Sequence, residues 1–192
     1  METLNTLGNE KINGDNPFIS QPEVSLNKNA LIYGAILGGI SVLYSITLWL
    51  LGLTLNKPLG YVGIVFTLGV MYFGTKDYRD KHLGGYMEYG KAFSSNFLIG
   101  LYACIISTVY TFLLFKFIDP TLIDTIKETA INAAMQKNSN VTEEQIEQGM
   151  SKMSFLMSPA FFAITALFGG AIMAALAGLI VAIFQKKEKT LF

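Results

Sequence analysis

Histidine, arginine, cysteine and tryptophan each occur once in this 192-residue chain, and only 15% of its residues are charged, where soluble domains carry about 25%. Each scarcity excludes something. A single cysteine, Cys104, forms no intramolecular disulfide, and with one histidine, His82, the sequence lacks the ligands of a zinc site. It shows no Ser-His-Asp order, no HExxH and no paired carboxylates inside an apolar run, so an enzyme is not expected and no cofactor is implied. The net charge is zero, which gives no reason to expect nucleic acid as a partner. The chain does not start with a basic stretch followed by an apolar core, so no cleaved leader is expected.

What is abundant is apolar sequence, 52% of the chain, arranged in four blocks without charge. Ala30 to Leu55 has 26 uncharged residues, Pro58 to Thr75 has 18, Ala92 to Phe115 has 24 and Met153 to Gln185 has 33. About 20 apolar residues cross the hydrocarbon core of a bilayer as a helix. The pattern predicts an all-α polytopic membrane protein with spans at 30–55, 58–75, 92–116 and 158–185. The second block is the shortest and could instead be re-entrant. Residues 1–29 read as a flexible polar tail and 186–192 as a basic C-terminal tail.

Between spans three and four lies a long hydrophilic connection, 119–152, read as extramembrane and helical. Asp119-Pro120 suits a helix start, and Leu122, Ile123, Ile126, Ala130 and Ala134 keep helical spacing. Thr142 to Gln145 forms a capping box for a second short helix. The acidic Glu143, Glu144 and Glu147 favour capping of the bundle or a partner contact over lying on lipid.

Small residues recur at helical spacing. Gly34 and Gly38 form a GxxxG in span one, and Ala166, Gly170, Ala174 and Gly178 repeat every four residues in span four. Such faces let helices approach closely. They predict either tight contacts inside one bundle or the seam of a homodimer, or of a complex with another membrane protein. The spans hold few polar groups; Asn96, Ser41, Ser45, Thr47, Ser107 and Thr108 stand out, and hydroxyls of this kind can bond back to their own helix. A weak echo relates Gly34…Ser41 to Gly100…Ser107, as in a duplicated hairpin. It motivates the alternative of a small carrier or channel acting as a dimer.

Thr75 to Lys91 is a charged elbow between spans two and three, carrying Lys76, Arg79, Lys81 and Lys91. These are topology determinants and can meet anionic headgroups. His82 in this exposed segment needs no role. The elbow side collects nine basic residues from tail, elbow and C-terminus, against Lys57, Lys116, Lys127, Lys137 and Lys152 on the other. Excess Lys and Arg marks the cytoplasm, which predicts N-in and C-in.

Met71-Tyr-Phe-Gly-Thr-Lys-Asp-Tyr-Arg, Gly85-Tyr-Met-Glu-Tyr-Gly-Lys-Ala-Phe and Phe117-Ile-Asp-Pro resemble the bacterial membrane proteins grouped as domain of unknown function 4199. The resemblance covers nearly the whole chain. It implies a small helical inner-membrane protein of Gram-negative bacteria, and it brings no catalytic residue and no ligand.

Overall fold

The computed structural model describes residues 25–137, 144, 148–149 and 154–187. Helix α1, Leu26–Leu50, begins inside the stretch read as tail, because Ser25 caps it: its Oγ accepts the Lys28 N–H at 3.3 Å. It stops before Leu55, where Gly52 takes φ +67° and turns the chain. Helix α2, Lys57–His82, carries Pro58 in its first turn, where a missing N–H costs nothing. It runs past the apolar block into the elbow, and Lys81 bonds Asp77 one turn back at 2.7 Å.

Gly84 and Gly85 end α2 with φ +62° and +84°, and the Gly85 N–H returns to the Arg79 carbonyl at 3.0 Å. A left-handed residue with a Cβ costs about 1–2 kcal/mol. Gly84→Ala is therefore expected to lower stability by about that amount. The thermal unfolding midpoint in mild detergent checks it.

Helix α3, Tyr89–Leu113, widens into a π-turn over Leu114–Ile118, closed by the Asp119 N–H on the Leu114 carbonyl at 2.8 Å. There the Lys116 ammonium lies 5.2 Å from both the Phe112 and Phe117 ring centroids. Its charge is thus held by aromatic faces at the end of an apolar helix. Helix α4, Thr121–Lys137, follows, with Ile123 buried and Leu122 and Ile126 half-buried. The capping box at 142–145 and the helix expected after it fall largely outside the described residues. A 3₁₀ turn, Ser154–Met157, leads to α5, Pro159–Gln185, whose N-cap Ser158 accepts the Phe161 N–H at 3.2 Å.

Four helical stretches are long and apolar enough to cross a membrane: Leu26–Leu50, Lys57–His82, Tyr89–Ile118 and Pro159–Gln185. Their outward faces are greasy, with Val65 67% exposed, Phe168 66% and Phe184 73%. Side chains of that size left this bare suit contact with lipid rather than water.

Helix α3 is the axis of the bundle. It packs most extensively on α5 and then on α1, while α2 contacts all three more sparingly. Only the elbow-side half of α2 is well buried, through Met71, Gly74, Thr75 and Tyr78. The start of α1 and the end of α5 meet on that same side. Asn29 reaches the Gly74 carbonyl at 3.0 Å, and Met87 pairs with Lys187 through two backbone bonds of 2.9 Å.

Candidate functional site: a polar clasp and a mid-span cavity

The glycines expected to pack helices sit where α3 crosses its neighbours. A Cβ at Gly34 would lie 2.5 Å from Tyr102 Cβ and 2.9 Å from the Ile99 carbonyl, and one at Gly38 would lie 2.9 Å from Ile106. A Cβ at Gly170 would overlap Cys104 Sγ, and Gly178 faces Asn96 and Phe97. Ala174 is buried against Gly100, and the carbonyl of Ala166 accepts the Cys104 thiol at 3.6 Å. The faces of α1 and α5 thus both close on α3 within one chain. On α5, Gly170, Ala174 and Gly178 are the residues of the Ala166–Gly178 face that meet α3 at close range.

The elbow cations do not converge on one pocket. Arg79 Nε bonds Asp80 at 2.8 Å and its Nη1 donates to the Gln185 carbonyl at 3.2 Å. Asp80 pairs with Arg79 and feels the charges of Lys76 and Lys187, Lys81 belongs to Asp77, and Lys91 is exposed on α3. His82 lies beside Tyr78 with ring centroids 5.6 Å apart and the planes tilted by 42°. Among the described residues no group of three or more His, Cys, Asp or Glu is placed to hold a metal.

Above the elbow lies a polar cluster of which sequence reasoning singled out only Asn96. Thr75, Ser95, Asn96 and Gln185 are fully buried and Asn29 is 4% exposed. The Thr75 hydroxyl lies 2.8 Å from Asn96 Oδ1 and 2.9 Å from Ser95 Oγ. Having one proton, Thr75 gives it to the amide oxygen and accepts the proton of Ser95. Asn96 Nδ2 donates to Gln185 Oε1 at 2.8 Å, and Gln185 Nε2 donates to the Tyr72 carbonyl at 2.8 Å. With Asn29 on Gly74, the network ties α1, α2, α3 and α5 at one level. Every member finds a partner, so the cluster is a clasp. A sequence signal existed. With alternating spans, the beginning of spans one and three and the end of spans two and four share one side, and each carries an amide or hydroxyl there.

Further from the elbow, α2 buries none of its residues fully. A cavity of about 330 Å³ opens there between α1, α2, α3 and α5. It is lined by Ser41 and Ser107, the two positions related by the sequence echo, and by Cys104, Ala166, Gly170 and Ala174.

At the opposite end of the bundle, Asp119 ties α1 to the start of α4. The Thr121 hydroxyl and the Trp49 indole, at 2.9 Å, both donate to its carboxylate and hold its pKa below the usual carboxylate range. A depressed folded pKa contributes stability that is present above the unfolded value and lost as pH falls through the folded one. Trp49 is the sole tryptophan. Its emission is expected to shift only in the acid range below ordinary carboxylate titration, and Asp119→Ala is expected to show the acid-form emission at neutral pH. An emission-against-pH titration of both proteins checks this.

No curated protein and no solved structure matches the chain. One family model matches residues 32–187, and it is described as Protein of unknown function (DUF4199). The matched region holds the elbow, the cavity and every member of the clasp except Asn29.

Proposed function

The chain belongs to that family, and because its description carries no activity, we propose from the physics of the bundle a non-catalytic integral inner-membrane protein, serving as a structural or partner-binding module. The observation that carries this reading is the clasp. The buried amides and hydroxyls of the clasp are spent on one another and on the Gly74 and Tyr72 carbonyls, which ties the four helices together as a structural module requires. The outward faces of α2 and α5 supply the surface for a partner, either a second copy or another membrane protein. Ile172 at 62% exposure and Phe184 at 73% are representative of it.

In this reading the elbow and both termini face the cytoplasm of a Gram-negative bacterium. Lys76, Arg79, Lys81 and Lys91 hold that orientation and meet anionic headgroups, each contributing about 1 kcal/mol near the surface. Residues 119–152 lie on the other side.

Two measurements test it. Cysteines placed singly at Ile172, Phe184 and Val65 in a Cys104→Ala background are expected to trap one defined oligomer or one partner when native membranes are oxidised. Monomer at every position argues against a partner role. Reporter fusions at the elbow and at α4 are expected to give cytoplasmic and external signals respectively; the reverse pattern overturns the orientation.

A further inference from the structure

The cavity beside α2 lies at the middle of the bundle. Leu37 and Ser41 sit near the centre of Leu26–Leu50, and Cys104 and Ser107 near the centre of Tyr89–Ile118. Its α2 wall is formed by Gly60, Gly63, Ile64 and Thr67, and a Cβ at either glycine would meet no atom within 4 Å. Helices α2 and α5 are joined at the elbow end through Gln185 and Tyr72, and the cavity separates them further along.

Three fillings can be compared by magnitude. Water would need about ten molecules at about 30 Å³ each, every one seeking about three hydrogen bonds. The lining cannot supply them. The Thr67 hydroxyl spends its proton on the Gly63 carbonyl at 2.9 Å and the Cys104 thiol its proton on the Leu167 carbonyl at 3.3 Å, which leaves Ser41 and Ser107 as the side-chain donors. Those two can return to their own helix, as serine does in apolar surroundings. A helix from a second chain is too large, because one turn about 10 Å across and 5.4 Å long exceeds the volume available. A void of this size is disfavoured in proportion to its volume. A flexible apolar chain fits in width, polarity and supply, since hydrocarbon surrounds this level of the bundle.

We propose that the cavity is a binding site for one alkyl chain of a bilayer lipid, entering between α2 and α5. The site rests on the membrane placement given above. Bound there, the chain takes the part of a packing element. It supports the outer half of α2, whose contacts with α1 include the Tyr44 hydroxyl on the Leu59 carbonyl at 2.8 Å and the Tyr44–Phe66 ring contact.

The test uses the full chain in phosphatidylethanolamine–phosphatidylglycerol vesicles containing a phospholipid with a diazirine midway along its acyl chain. Irradiation and residue-level mapping are expected to find adducts on the inner residues Cys104 and Ala177 as well as on the outward Val65 and Phe168. Gly63→Leu, which fills the cavity from α2, is expected to reduce the inner adducts at least fivefold and leave the outward ones unchanged; Gly60→Leu serves if that variant fails to fold. Adducts confined to Val65 and Phe168 overturn the site, as do inner adducts that survive both substitutions. Modification of Ser107→Cys by a charged thiosulfonate, in a Cys104→Ala background, also overturns it by showing water in the cavity. Absence of label on Val65 and Phe168 as well would instead reject the membrane placement itself.

Discussion

Gly100→Leu is expected to yield no folded bundle. A Cβ at this position would lie 2.5 Å from Ala174 Cβ, 2.6 Å from Met71 Cε and 3.3 Å from Ala174 Cα. Met71 can move, but Ala174 is a backbone neighbour on α5, so α3 and α5 must separate. That is the most extensive contact in the molecule. Even Gly100→Ala is expected to cost about 1–3 kcal/mol through overpacking. Leucine adds three more carbons at the same point and consumes most of the 5–15 kcal/mol that holds a typical protein together. Gly39→Ala and Gly69→Ala, whose new methyl groups would meet no atom within 4 Å, are expected to leave stability unchanged or slightly improved. Size-exclusion profiles and thermal midpoints in mild detergent separate these outcomes. A Gly100→Leu protein with an unshifted midpoint would mean that α3 and α5 do not cross here.

The second large effect is expected from Asn96→Leu, at about 2–3 kcal/mol. Hydrogen bonds between membrane helices average only about 0.6 kcal/mol when measured as pairs. Removing one partner is costlier, because a stranded buried group forfeits about 1–3 kcal/mol. Asn96→Leu strands Gln185 Oε1 and removes the acceptor of Thr75, in a site with no exposed member among the four. Gln185→Leu strands Asn96 Nδ2 in the same way and also frees the Tyr72 carbonyl. The double variant is expected to be destabilised by clearly less than the sum of the two, with a coupling of about 0.5–3 kcal/mol. Unfolding of the four proteins in mixed detergent gives the cycle. Strict additivity would show that Asn96 and Gln185 do not act on one another.

Much of the architecture was legible from local chemistry. The second apolar block opens at Pro58, in the first turn of α2, span four expected from 158 begins as α5 at Pro159, and Gly84-Gly85 ends α2, because backbone geometry at proline and glycine is set by the residue itself. The boundaries of α1 were harder to read. Loss of charge at Ala30 suggested its start, but the capping hydroxyl of Ser25 places it at Leu26 and draws Asn29 into the interior. The end expected at Leu55 gave way to a turn at Gly52.

The elements of the site divide in the same way. The small-residue faces on Gly34, Gly38, Ala166, Gly170, Ala174 and Gly178 were visible as spacing, but spacing names no partner. Gln185 looked like the last residue of a helix and Thr75 like the last of an apolar run.

The amino-acid order by itself determined that four helices suit a bilayer, where they begin and end to within a turn or two, and which faces permit close approach. These are consequences of transfer free energy, proline and glycine geometry, and side-chain size, all of which act over a few neighbouring residues. Only the tertiary structure decided that α3 is the hub, that residues as distant as Asn29, Thr75, Asn96 and Gln185 close into one clasp, and that α2 parts from α5 to leave a cavity. Those outcomes depend on how four rigid rods with several compatible faces share a limited contact area, and that choice is made by all the helices together.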